Sequence, residues 1–121
     1  MRLSPVMVAA AAALCAAPAV SFGGVAPIQV DLELSLLVDV SGSISASEFN
    51  LQRSGYSNAF RTPGIKSQIT GTDNGRLGRI AVNMIYWSSR NQQAEVVGWT
   101  LLDSAAACDA FADAIDASAR T

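Results

Sequence analysis

The stretch that decides the fold runs from Val30 to Glu48 and reads VDLELSLLVDVSGSISASE. Its first half alternates Asp31, Glu33 and Ser35 with Leu32, Leu34 and Leu36, then becomes wholly apolar at Leu36-Leu37-Val38. Alternation with period two belongs to a half-exposed strand, and a continuous apolar run to a strand covered on both faces. A strand near 31–39 is therefore expected to begin at an exposed edge and finish buried. Asp39-Val40-Ser41-Gly42-Ser43 is loop chemistry, and Ser45-Ala46-Ser47-Glu48 is a capping box in which Ser45 and Glu48 each accept from the other's amide. Strand, polar loop and capped helix in that order is the arrangement in which α/β proteins place ligands, at the carboxyl end of a central strand.

Working outward, a helix is expected near 46–61, with Phe49, Gln52, Tyr56, Ala59 and Phe60 on one side. Gly55 in its middle costs about 1 kcal/mol against Ala, so it is expected to permit close packing on the sheet. Thr62-Pro63-Gly64 ends the helix, and residues 62–78 read as a polar surface connection with a turn at Thr72-Asp73-Asn74-Gly75. Residues 79–88 are apolar on both parities except at Asn83, which suits a central strand; an unpaired buried amide there would cost about 1 to 3 kcal/mol. Ser88 to Gln92 is a short connection and 94–101 a further strand, which makes a hairpin whose Glu95 and Gly98 suit an edge. Trp87 and Trp99 on that hairpin are expected in the core. Asp103 or Ser104 caps a last helix near 104–118 with Cys108, Phe111 and Ile115 inward. A helix joins the first two strands, so they should be parallel. Counting directions along the chain puts Ser118 to Thr121 at the same sheet edge as Ser41 and Ser43.

Eight Lys and Arg against ten Asp and Glu give a net charge of −2, so no basic surface offers itself to a phosphate backbone and nucleic acid is not an expected partner. The absence of His removes imidazole bases, His-containing triads and His-ligated zinc. Residues 1–23 run from Arg2 through an Ala-rich apolar stretch to small residues around Ala17-Pro18-Ala19 and Ser21-Phe22-Gly23, the order of a secretory signal peptide. That apolar run falls short of the roughly 20 residues that span a bilayer. The expectation is an exported, periplasmic or extracellular protein whose residues 24–121 form one domain, with no membrane span once the signal is cleaved. Cleavage would discard Cys15 and leave Cys108 unpaired, as a small buried apolar residue.

Asp39, Ser41 and Ser43 place three oxygen-bearing side chains at alternate positions across Gly42. A hard cation such as Mg²⁺ takes about six oxygens, so this loop supplies half a shell. The amides of the following helix work against it, because they favour anions. The same three residues also suit an ordinary turn that caps a helix.

Leu34-Ser35-Leu36-Leu37-Val38-Asp39-Val40-Ser41-Gly42-Ser43-Ile44 resembles the first segment of the metal-ion-dependent adhesion site of von Willebrand factor A domains, Asp-x-Ser-x-Ser after an apolar strand. Glu48-Phe49-Asn50-Leu51-Gln52-Arg53, Gly78-Arg79-Ile80-Ala81-Val82 and Tyr86-Trp87-Ser88 are similar to a bacterial family of exported A-domain-like proteins whose function is not established. The resemblance implies that residues 24–121 are the N-terminal part of a von Willebrand factor A-like domain, with an α/β, Rossmann-like fold truncated to about three strands and two helices. It implies that Ser41 and Ser43 touch Mg²⁺ or Mn²⁺ directly and Asp39 directly or through water, and that the metal accepts an acidic group of a partner protein. The family's other two loops, which supply a Thr and an Asp, have no match, and Arg120-Thr121 lacks the glycines that precede the metal-binding Thr. The expected function is a non-enzymatic binding or adhesion module with an incomplete, weakly binding site.

Asp39-Val40-Ser41-Gly42-Ser43-Ile44 also resembles the strand-end motif of haloacid dehalogenase-type phosphotransferases, in which a first Asp is the nucleophile and a second, two residues on, the acid/base. Ser41 stands in the second position and has no proton to trade near neutral pH. Lys66, the only lysine, falls in the expected surface connection. An inactive fragment is a third reading. Asp109, Asp113 and Asp116, at spacings of four and three, read as a solvated helix face rather than a second cation patch.

Overall fold

The computed structural model describes residues 24–120; the expected signal peptide and Thr121 lie outside the described residues. The alternating run becomes β1 (Glu33–Asp39), followed by α1 (Ala46–Arg61), α2 (Pro63–Thr70), a short 3-10 turn (Asp73–Gly75), β2 (Ile80–Ser89), β3 (Gln92–Leu102) and α3 (Ala105–Ala117). The fold is α/β, a mixed three-stranded sheet in the order β1-β2-β3, consistent with a Rossmann-like arrangement. β1 and β2 are parallel, with Ser35 opposite Asn83 and Asp39 opposite Trp87. β2 and β3 form the antiparallel hairpin, whose register shifts between Val82 and Met84, Met84 and Ile85, and Trp87 and Ser89.

Side-chain alternation divides the sheet. Val38, Val82, Met84, Tyr86, Val97 and Leu102 pack beneath Phe49 and Phe60 of α1 and Cys108, Phe111, Ala112 and Ile115 of α3. Phe49 meets Tyr86 edge-on at 5.4 Å between ring centres, and Phe60 meets Phe111 at 4.9 Å, the geometry that the ring quadrupole favours. Burial of these residues is the main stabilising term, because no disulfide joins the described residues.

Two expectations fail on the opposite face, which no helix covers among the described residues. Leu37 is 62 % exposed, so β1 does not finish buried on both sides. β1 is an edge strand, and the parity that puts Val38 in the core puts Leu37 outside. Trp87 and Trp99 are 38 % and 55 % exposed and lie on this open face rather than in the core. Asn83 is buried, and its Nδ2 donates to Glu95 Oε1 at 2.7 Å, while its Oδ1 has no partner.

Two further differences lie on the helices. A Cβ at Gly55 would meet open space, so that glycine does not serve close packing. Among the described residues the helices number three rather than two, because α2 forms where a polar connection was expected. Pro63 occupies its first turn, where a missing N–H costs nothing, and only Ile69 is buried, which left little apolar pattern to read. After α2 the chain returns to the sheet through Gly78, at φ +71, where a Cβ would stand 2.7 Å from the Thr70 carbonyl oxygen. The carboxylate of Asp31 accepts from the backbone N–H groups of Leu77 and Gly78 at 2.8 Å and of Arg79 at 3.3 Å, pinning that return beside the start of β1. No helix among the described residues is long and apolar enough to cross a membrane.

Candidate metal centre

β1 ends at Asp39, and the ladder runs one bond further, from Val40 N–H to the Trp87 carbonyl at 2.8 Å. The loop then closes a turn through Ile44 N–H to the Ser41 carbonyl at 2.9 Å. The expected capping box is present: Ser45 N–H donates to Glu48 Oε2 at 2.7 Å, and Glu48 N–H donates to Ser45 Oγ at 3.2 Å. Strand end and helix start are thus both fixed, and the loop between them is short. That anchoring brings the three sequence-predicted residues together.

Asp39 Oδ1 accepts the Ser41 N–H at 2.8 Å, and Ser41 Oγ lies 3.3 Å from Ser43 Oγ. The Ser41 hydroxyl, then its backbone N–H, and the nearby Arg120 guanidinium hold the Asp39 carboxyl below the usual carboxylate range. Asp39 is therefore ionised at neutral pH. An ion bound at about 2.1 Å has neighbouring octahedral ligands about 3.0 Å apart, so the spacing of the two hydroxyls suits adjacent positions in one shell. These residues fit one edge of a hard-cation site plus a carboxylate. Among the described residues no group of three or more Asp, Glu, Cys or His converges, so the negative charge here is that of Asp39.

Behind the loop stands a support that local motifs did not reveal. Arg120 Nη2 donates to the Val40 and Ser41 carbonyl oxygens at 2.9 and 2.7 Å. Ser118 is buried, its Oγ bonded to Tyr86 OH and to the Ile115 carbonyl, each at 2.6 Å, while its own carbonyl accepts from Arg53 Nη1 at 2.9 Å. The guanidinium carbons of Arg53 and Arg120 stand 5.5 and 5.9 Å from the centre of the Phe49 ring, cation–π distances. Direction counting placed Ser118 and Arg120 at this edge, and there they are. The role of Arg120 has no local signature, since it depends on a contact across 79 positions of chain.

The aspartates of α3 do not form a cation patch. Arg61 pairs with Asp113 at 2.6 Å and Asp116 at 2.8 Å, and Lys66 pairs with Asp109 at 2.5 Å. The Ser57 hydroxyl first and Arg61 second draw the Asp116 carboxyl down. Cys108 is buried among the core side chains of α3, and burial pushes its thiol up. A family model described as "Protein of unknown function (DUF1194)" matches residues 29–121. No curated protein and no solved structure matches the chain.

Proposed function

The chain belongs to the DUF1194 family, a family of unknown function, and from the Asp39 loop we propose that it is an exported, metal-dependent protein-binding module. The observation that carries this reading is the convergence of the Asp39 carboxylate with two hydroxyls 3.3 Å apart at the carboxyl end of a sheet strand. The loop also has the Asp-x-Ser-x-Ser order of a von Willebrand factor A adhesion site, which gives the reading its ligand. When bound, Mg²⁺ or Mn²⁺ supplies a Lewis-acidic centre with open positions for a carboxylate of the partner. Asp39 provides the anionic ligand, Ser41 and Ser43 provide neutral ones, and the Ser41 amide orients the carboxylate. Because three side chains carry one formal charge and fill half of a shell of about six oxygens, affinity for the bare ion is weak, and an incoming acidic group adds both charge and oxygen ligands.

The phosphotransferase reading has less support. Lys66 pairs with Asp109 in the first half of α3, whereas the Asp39 loop is reached by Arg120 beyond its far end, roughly 15 Å further along at 1.5 Å per residue. Ser41, not a carboxylate, occupies the acid/base position. We therefore read the site as non-enzymatic.

The test is binding of immobilised protein to a Glu-rich peptide in Mg²⁺ and in EDTA. Binding that requires Mg²⁺ and disappears in Asp39→Ala supports the proposal; equal binding in EDTA, or binding untouched by the substitution, refutes it.

A further inference from the structure

We propose that cation binding at the Asp39 loop is coupled to the segment Ser118–Arg120, so that a bound Mg²⁺ or Mn²⁺ releases Arg120 from the loop. This rests on the reading of the Asp39 loop as a cation site and adds a regulation to it. The first observation is how the segment is held. It leaves α3 as extended backbone at Ser118 (φ −70, ψ 139). β2 holds it through Tyr86 OH and Ser118 Oγ, 2.6 Å apart, and α1 through Arg53 Nη1, which donates to the Ser118 carbonyl at 2.9 Å. Arg53 is itself oriented by Asn50, whose Oδ1 accepts from its Nη2 at 3.3 Å. From that base Arg120 reaches the loop. Its Nε and Nη2 donate to the Val40 carbonyl at 3.2 and 2.9 Å, and its Nη2 to the Ser41 carbonyl at 2.7 Å.

The second observation is charge. Arg53 and Arg120 share one aromatic ring, with guanidinium carbons 5.5 and 5.9 Å from the centre of Phe49, so two like charges stand close together. The Asp39 carboxylate, which is bonded first of all to Ser41, also attracts Arg120. A divalent ion on Asp39 turns the single negative charge of that side chain into a net positive one. Attraction of Arg120 then becomes repulsion. The hydroxyl pair of Tyr86 and Ser118 is neutral and keeps its hold, so the part that lets go is the Arg120 side chain.

Linkage makes the effect reciprocal. The factor by which Arg120 lowers cation affinity equals the factor by which the cation weakens the grip of Arg120, about threefold in a water-like dielectric. Occupancy of the loop is thereby transmitted to the end of α3. Arg53 is a positioning residue in this device, because it touches neither loop nor ion and acts by fixing the base from which Arg120 reaches.

Hydrogen exchange of Arg120 Nε–H, which donates to the Val40 carbonyl, reads the grip directly by NMR of the isotope-labelled full chain. Without metal, Asp39→Asn keeps an acceptor for the Ser41 N–H but removes the charge, and should quicken this exchange about threefold. Saturating Mg²⁺ should quicken it about threefold in the unaltered chain and leave it unchanged in Asp39→Asn. Arg53→Met removes a positive charge, which by Coulomb attraction and repulsion alone would tighten Arg120. Faster exchange in that variant is expected, because the hold on Ser118 is lost; slower exchange would overturn the role of Arg53. Amide spectra that otherwise superimpose show that the variants are folded. Unchanged exchange in metal-free Asp39→Asn would overturn the proposal whether or not a metal binds. So would Mg²⁺ that shifts the amide signals of Ser41, Gly42 and Ser43 and leaves Arg120 unchanged. Mg²⁺ that shifts none of those amides overturns the site reading instead, and the coupling with it.

Discussion

Arg120 donates through Nη2 to the carbonyl oxygen of Ser41 at 2.7 Å, so the residue beyond the last helix holds the backbone of the loop that carries the candidate ligands. The contact has two opposed consequences. It fixes the loop, and it sets a positive charge beside the carboxylate on which a cation would depend. Arg120→Gln should therefore lower stability by about 1 kcal/mol through lost hydrogen bonding. It should also raise Mg²⁺ affinity about threefold, a Coulomb change of under 1 kcal/mol in a water-like dielectric. Urea unfolding and calorimetric titration of the same variant read the two effects separately.

The core is small and one residue is central to it. Phe111 is fully buried, edge-on to Phe60, and sits between α1 and the sheet. Phe111→Ala should cost about 3 to 5 kcal/mol, a large part of the roughly 5 to 15 kcal/mol that such a domain possesses. Equilibrium denaturation is the measurement, and a loss below 1 kcal/mol would mean that the α1–α3 contact contributes little.

Acid should unfold the protein through specific carboxylates. Asp31, held down chiefly by the Leu77 N–H, Glu48, held down by the Ser45 N–H, and Asp73, held down by Arg76, all have carboxyls below their ordinary values. A folded pKa below the unfolded one contributes stability above the unfolded value, about 4, and loses it as the pH falls through the folded value. The melting temperature should therefore be level from neutrality to about pH 5 and fall below about pH 4. Asp31→Asn should flatten that acid limb, because Asp31 alone accepts from three amides.

Much of this architecture was legible in the sequence where local chemistry and period agreed. The capping box fixed the start of α1, the alternation of residues 31–36 fixed a strand, and the helix between the first two strands fixed their parallel pairing. The Asp39, Ser41 and Ser43 cluster was legible because it is local, three residues on one loop. What escaped depends on distant partners. Leu37 and the two tryptophans have core composition, yet their exposure depends on whether a second helical layer covers that face. α2 carries a single buried residue, and its ion pair from Lys66 to Asp109 spans 43 positions. The grip of Arg120 on the loop is of the same kind, a long-range contact without a motif.

The central claim is that Asp39, Ser41 and Ser43 together bind a hard cation weakly. Titration of the isotope-labelled protein with Mn²⁺, followed by paramagnetic broadening of backbone amide signals, tests it most directly. The expected result is broadening that starts at Ser41, Gly42 and Ser43, saturates at about millimolar or higher concentration, is competed by Mg²⁺, and vanishes in Asp39→Ala. Broadening centred instead on Asp109, Asp113 and Asp116 of α3, or unchanged in Asp39→Ala, would contradict the claim.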